Sequence, residues 1–191
     1  MNQPARLAVF LSGNGSNAEQ IFSHFTNYPT ITVALVLSNN PGAFGLQRAQ
    51  KFNIQTKAFN KNQFYESGVV LNWLKEEQIT HIVLAGFLWM IPQSLIQAYP
   101  KHIINIHPAL LPKFGGKGMY GSKVHAGVKA AGETKTGITI HEVNEKYDEG
   151  KIIFQARCEV LPEDTPDSIA KKVQALEHSH YPVEIERWVK Q

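Results

Sequence analysis

Short apolar runs alternate with stretches of helical spacing along the first half of the chain. Residues 7–11, 31–37 (ITVALVL) and 79–85 (ITHIVLA) are continuous runs rich in β-formers; 103–106 is brief and 55–59 weaker. Runs apolar on both faces predict strands buried in a parallel sheet. Between them, residues 17–27, 45–52, 62–77 and 92–98 have helical spacing. In the third of these, Phe64, Val70, Leu71 and Leu74 trace one apolar stripe, and Lys75, Glu76 and Glu77 make a polar end. The alternation predicts an α/β fold, a single doubly wound and mostly parallel sheet with right-handed crossovers. Such sheets bind ligands at the carboxyl ends of the strands, where strand order reverses.

The second half differs. Residues 108–122 (PALLPKFGGKGMYGS) hold two prolines and four glycines and read as a long loop, a feature often tied to function. A helix near 123–131 follows. Two further runs, 136–143 and 151–160, are joined by a polar turn at 144–150 and predict an antiparallel pair at the sheet edge. Thr165 caps a final helix with Pro166 at its favoured first position, and Ile169, Val173 and Leu176 supply its buried face. Pro182 is expected to bend that helix or begin a new segment. No repeat or linker interrupts the pattern, so one domain is expected over 1–191.

Composition narrows the classes. The chain is long enough for one sizeable core. Its net charge of +3 is spread along the sequence, which argues against a nucleic-acid partner. Cys158 is the single cysteine, so no internal disulfide can form, and it reads as a small apolar filler in a strand. Residues 1–6 lack the layout of a secretory signal, and no apolar run approaches the roughly 18 to 20 residues that span a bilayer. A soluble cytoplasmic protein without membrane attachment is the expectation.

The first strand runs into Ser12, Gly13, Asn14, Gly15, Ser16, Asn17 and Ala18. Two glycines before a helix let the backbone approach a ligand, and the helix offers unpaired N–H groups and a positive dipole end. Ser16 or Asn17 can add a donor. Gly13, Gly15 and Ala18 also satisfy the loose dinucleotide fingerprint. That fingerprint needs an acidic residue about 20 positions further on, and residues 38–41 read SNNP. A phosphate monoester suits the loop better than NAD, the bland alternative being a turn that binds nothing.

Asn105 and His107 stand at alternate positions in the fifth apolar run. In a strand both lie on one face, with Ile104 and Ile106 on the other. Such a pair is either hydrogen-bonded structurally or used chemically. Asp148, in the turn KYDEG, either shapes that turn or supplies a carboxylate. Together the three suit acyl transfer to an amine. An amide N–H and an imidazolium can stabilise the tetrahedral oxyanion, and imidazole and carboxylate can move protons. The eight histidines form no H-x-x-x-H pattern, no CxxC is present, and His178 and His180 face different ways on a helix. No metal is expected. Nor does the sequence around Ser12 match the hydrolase elbow.

SGNGSN at 12–17, LAGF at 84–87, NIHPALLP at 105–112 and DEG at 148–150 resemble the phosphoribosylglycinamide formyltransferases of the formyltetrahydrofolate-dependent formyltransferase family. The resemblance runs in order from about residue 6 to 189 and implies a Rossmann-like formyltransferase fold. It also implies a phosphate-binding half over about 1–100 and a folate and catalytic half over about 101–191. It implies transfer of a formyl group from 10-formyltetrahydrofolate to the amine of glycinamide ribonucleotide, in purine biosynthesis, by a monomer or homodimer.

Asn105, His107 and Asp148 match the catalytic trio. Asn105 and His107 would polarise the formyl oxygen, and Asp148 would assist proton movement. Gly13, Asn14, Gly15, Ser16 and Asn17 would hold the substrate phosphate, and Gln174 and Glu177 its ribose. Leu84, Leu88, Trp89, Met90, Ile91, Asn144 and Asp148 match the folate pocket. Better-known members carry a basic residue where Trp89 stands, and some bring an Arg to the region of Asn62. The loop after Pro112 is longer here, and His125 could reach the site or serve in packing. The rival readings are a formyltetrahydrofolate hydrolase, which usually carries an extra N-terminal domain, and a non-catalytic phosphate- or nucleotide-binding module.

Overall fold

The computed structural model describes residues 4–191. Seven strands form one sheet: β1 (Ala5–Leu11), β2 (Ile31–Ser38), β3 (Gln55–Ala58), β4 (His81–Leu84), β5 (Ile103–His107), β6 (Lys135–Glu142) and β7 (Ile152–Glu159). The helices are α1 (Ser16–Phe25), α2 (Phe44–Lys51), α3 (Lys61–Tyr65), α4 (Val69–Glu76), α5 (Gln93–Ala98), α6 (Ser122–Ala130) and α7 (Pro166–Val189). The sheet order is β3-β2-β1-β4-β5-β6-β7. Pairs among β1 to β5 are parallel, whereas β6 runs antiparallel to β5 and β7 to β6.

Strand alternation sorts the core into two layers. Leu7, Val9 and Leu11 of β1 face a cluster with Ile21 and Phe22 of α1, Leu46 of α2, Val128 of α6 and Ile169, Tyr181 and Ile185 of α7. Ala8 and Phe10 face the other cluster, with Phe64 of α3, Leu74 of α4 and Leu95 of α5. Complete burial of Leu7–Leu11 on both sides of the sheet explains the unbroken apolar run there. The order reverses between β1 and β4, so the chain leaving β1 turns one way and the chain leaving β4 the other. That divergence opens a crevice at the strands' carboxyl ends.

Two sequence expectations change. The helix expected over 62–77 is two: α3 begins with a reciprocal cap between Asn60 and Gln63, and α4 restarts after Gly68 at φ 69°. A residue in the left-handed region cannot sit inside a right-handed helix, so the shared apolar stripe hides a break. Conversely, Pro182 neither ends α7 nor starts another segment; the helix runs unbroken from Pro166 to Val189. Pro182 withholds the amide that would reach the His178 carbonyl and crowds that carbonyl with its ring, and the ring is buried, as are Tyr181 and Ile185. Thr165 caps α7 as expected, its hydroxyl accepting the Ser168 N–H. Among the described residues no helix is long and apolar enough to cross a membrane.

Candidate active site

A cleft of about 570 Å³ opens at the switch point. Beyond β4, Gly86 turns the chain at φ 74° so that Leu88, Trp89, Met90 and Ile91 form one wall with Leu84. Val143, Asn144 and Tyr147 from the β6–β7 turn form the opposite side, and Asn17 and Glu177 close the far end. All seven residues matched to the folate pocket line this cleft. Ser12, just beyond β1, ties the start of the Gly-rich loop to the first of these walls. Its N–H donates to the Gly86 carbonyl (3.1 Å), and its Oγ accepts the Leu88 N–H (3.0 Å).

Asn105 and His107 project from the same face of β5, while Ile104 and Ile106 enter the α7-side core. Asp148 reaches them from the turn, at a left-handed φ of 55°. One carboxylate oxygen lies 3.5 Å from His107 Nδ1 and accepts the Gly116 N–H (2.9 Å); the other lies 3.5 Å from His141 Nε2. The geometry thus brings the three sequence-derived candidates together and adds His141, which stands opposite Asn105 in the β5–β6 ladder.

The hydrogen bonds fix the ring states. His141 Nδ1 lies 2.9 Å from the Glu142 carbonyl and must donate to it, leaving Nε2 to accept from the Asn105 side-chain amide at 3.2 Å. That orientation leaves Asn105 a second N–H. His107 Nε2 donates to the Phe114 carbonyl (2.8 Å), so in the neutral ring Nδ1 carries a lone pair toward Asp148.

Burial lowers the His107 pKa; Asp148 and the Phe114 carbonyl oppose that effect, His141 adds to it, and the net position is below 6.5. Burial would raise Asp148, but the neighbouring His141 ring, the His107 charge and the Gly116 amide bring it below its ordinary value. The resting pair is a neutral imidazole beside a carboxylate. His125, buried on α6, also lines the cleft, and burial followed by the charge of His107 lowers its pKa.

At the far end, α1 presents its N-terminus. Gly13 and Asn14 are exposed, Gly15, Ser16 and Asn17 half-buried, and of these Asn17 lines the cleft. Gln174 donates to Ser16 Oγ (3.2 Å), tying α7 to the loop. Burial lifts the Glu177 carboxyl to about 7, against the lowering effect of Asn17. The two glycines differ in purpose. A Cβ on Gly13 would meet open space, whereas one on Gly15 would lie 2.5 Å from Gly45 Cα. Gly15 therefore permits close packing of the loop on α2. Arg48, from that helix, holds Asn14 through its carbonyl and side-chain oxygens (both 3.0 Å) and pairs with Glu19. Among the described residues no group of three His, Cys, Asp or Glu is arranged to hold a metal ion.

The formyl transferase family model matches residues 5–185, nearly all of the chain. The chain belongs to the formyl transferase family. It is 39% identical over 185 residues to the phosphoribosylglycinamide formyltransferase of Bacillus subtilis, covering 93% of this chain and 91% of that one. It is 41% identical over 182 residues to the chloroplastic phosphoribosylglycinamide formyltransferase of Arabidopsis thaliana, covering 92% of this chain; it spans 62% of the length of that relative. The crystal structure of phosphoribosylglycinamide formyltransferase from Anaplasma phagocytophilum superposes with a TM-score of 0.87 at 34% identity, covering 96% of this chain and 86% of that one. Within this formyl transferase, Asn105, His107, Asp148 and the Gly-rich loop were visible in sequence. His141, Phe114, Gly116 and Arg48 were not. The register across β5 and β6 is the signal that would have found His141.

Proposed function

We propose that this chain transfers a formyl group from 10-formyltetrahydrofolate to the primary amine of glycinamide ribonucleotide, a step of purine biosynthesis. One observation carries the reading: Asn105, His107 and Asp148 meet where an apolar slot joins an arm that ends at Asn17 and Glu177 beside a helix N-terminus. The slot suits a pterin and the arm a ribose with its phosphate. The donor serves as a cosubstrate, and no metal enters the reaction. We place the activity in the cytoplasm, a setting that suits a chain with one free cysteine.

The residues divide the work by geometry. The substrate amine attacks the formyl carbon, forming the new C–N bond and an oxyanion. The second N–H of Asn105 stabilises that oxygen. Asp148 takes the proton from the attacking nitrogen, through water where the distance requires it. His107 can store that proton on Nδ1, between the carboxylate and the Phe114 carbonyl, and its charge then also favours the oxyanion. Breaking the bond to the folate nitrogen returns a proton to the leaving group. Gly13, Asn14, Gly15, Ser16 and Asn17 hold the phosphate, and Gln174 and Glu177 the ribose. The working unit is a monomer or a homodimer.

The test mixes the protein with 10-formyltetrahydrofolate and glycinamide ribonucleotide. Formylated ribonucleotide together with free tetrahydrofolate is the expected result. Formate released at the same rate without the amine would instead make the protein a hydrolase of the same carrier.

A further inference from the structure

A second concavity, of about 230 Å³, lies outside the site described above. Leu110, Lys113, Phe114, Lys135, Thr136 and Arg157 form its walls together with Glu133. Three features make it unlike an ordinary stretch of solvated surface. Its charge is unbalanced: Glu133 pairs with Lys113 at 2.7 Å, and among the described residues Lys135 and Arg157 have no ion-pair partner. Thr136, 2% exposed, brings to the same lining a buried hydroxyl with no hydrogen-bond partner. Leu110 and Phe114 add an apolar wall. A pocket with surplus positive charge, a spare hydroxyl and one apolar side suits a small anion with an apolar body.

Its position gives occupancy a consequence. Lys113 and Phe114 open the segment that the mechanism leans on from the other side. The Phe114 carbonyl accepts from His107 Nε2 (2.8 Å), and the Gly116 N–H donates to Asp148 (2.9 Å). A Cβ on the intervening Gly115 would sit 2.5 Å from Leu111 and 3.3 Å from Asp148 Cβ. The segment is thus packed closely against the catalytic carboxylate, and a shift of its outer face reaches both catalytic groups. We infer that this second pocket is an effector site for a small phosphate monoester, coupled to the His107–Asp148 pair through residues 113–116. The inference rests on the proposed reaction only for the meaning of that coupling; the binding site stands on its own residues.

Phenyl phosphate is the probe, with its ring for the Leu110–Phe114 wall and its phosphate for the cations. Calorimetry should find it binding the intact protein, and the His107 ring signals in NMR should move as it saturates. Because the loop at 13–17 is also built for phosphate, each titration is repeated on Lys135→Ala/Arg157→Ala and on Gly13→Ala. Binding that moves the His107 signals should weaken about tenfold or more in the double variant, the effect of losing charge-assisted contacts, and persist in Gly13→Ala. Both mutated cations are exposed, and Thr136→Val gives a second variant that keeps the charges; it should also weaken binding. Equal affinity in the double variant, loss only in Gly13→Ala, or no binding at all would overturn the site. His107 signals that stay fixed at saturation would overturn the coupling. None of these measurements needs formyl transfer, so failure of the proposed reaction would show separately in the formylation assay.

Discussion

At the scale of single residues, the site is a short circuit of hydrogen bonds whose members have unequal tasks. In the proposed reaction, removing the Asn105 amide takes away the oxyanion donor, and removing the Asp148 carboxylate takes away the proton acceptor. Asn105→Ala and Asp148→Ala should each lower kcat by about a hundredfold or more, read from steady-state formylation with both substrates saturating. Retained turnover in Asp148→Ala would remove that residue from the mechanism. The pair should also set the acid limb of the pH profile. Because both pKa values are lowered, the competent state, neutral His107 beside ionised Asp148, persists below pH 6.5. The fall in kcat/KM should therefore begin below pH 6.5, and a fall centred above it would contradict the assignment.

Glu177 behaves in the opposite way. Its pKa, raised from 4.5 to about 7, stabilises the fold fully below pH 4.5, and that contribution is lost as pH rises through 7. Glu177→Gln should match the parent in urea unfolding at low pH and exceed it above pH 7 by about 3 kcal/mol. Asn105 and His107 were legible because period-two alternation names the residues that share a strand face. His141 was not, since its role depends on a pairing register that two separate strands set jointly. Phe114 and Gly116 contribute backbone atoms, which leave no mark in side-chain type.

At the scale of elements, the β1–α1 turn shows how two glycines of similar appearance divide. Gly13→Ala puts its Cβ in open space, so stability should hold while KM for the phosphorylated substrate rises. Gly15→Ala forces a side chain onto a φ of 74° and against Gly45, and should cost about 1–3 kcal/mol in denaturant unfolding. Equal stability of the two variants would show that the turn relaxes more freely than its packing implies. Strands β1, β2 and β4 were readable because each carries at least three consecutive apolar residues, whereas β3 (QTKA) gave only a weak signal. The helices over 62–77 were misread because one apolar stripe serves both α3 and α4, and the break depends on the φ of Gly68. Of the two readings of Pro182, a bend or a new segment, the second fails because α7 continues through it. The local cost of proline in a helix can be read from sequence, but the burial of Pro182 belongs to the packed core.

At the scale of the whole molecule, a topological reversal opens the one cleft in which both proposed ligands would meet. The α/β class and the antiparallel edge pair followed from the order of runs along the chain. The crevice followed from the general rule for strand carboxyl ends. What the order of runs could not supply was the path of residues 108–121. No periodicity governs that stretch, and tertiary contacts such as Thr139 Oγ1 with the Ala109 carbonyl (2.7 Å) and the Leu111 N–H (3.0 Å) place it.

Ser12 has a consequence for the order in which ligands communicate. A single hydroxyl at the root of the proposed anion cradle also anchors the amide of Leu88 on the proposed pterin side. On the proposed function, settling one guest should stiffen the berth of the other, a reciprocal effect in which each ligand tightens its neighbour by the same factor. Ser12→Ala should keep both separate affinities within a few fold of normal. What it should abolish is their mutual dependence, measured by titrating a folate analogue with and without the ribonucleotide.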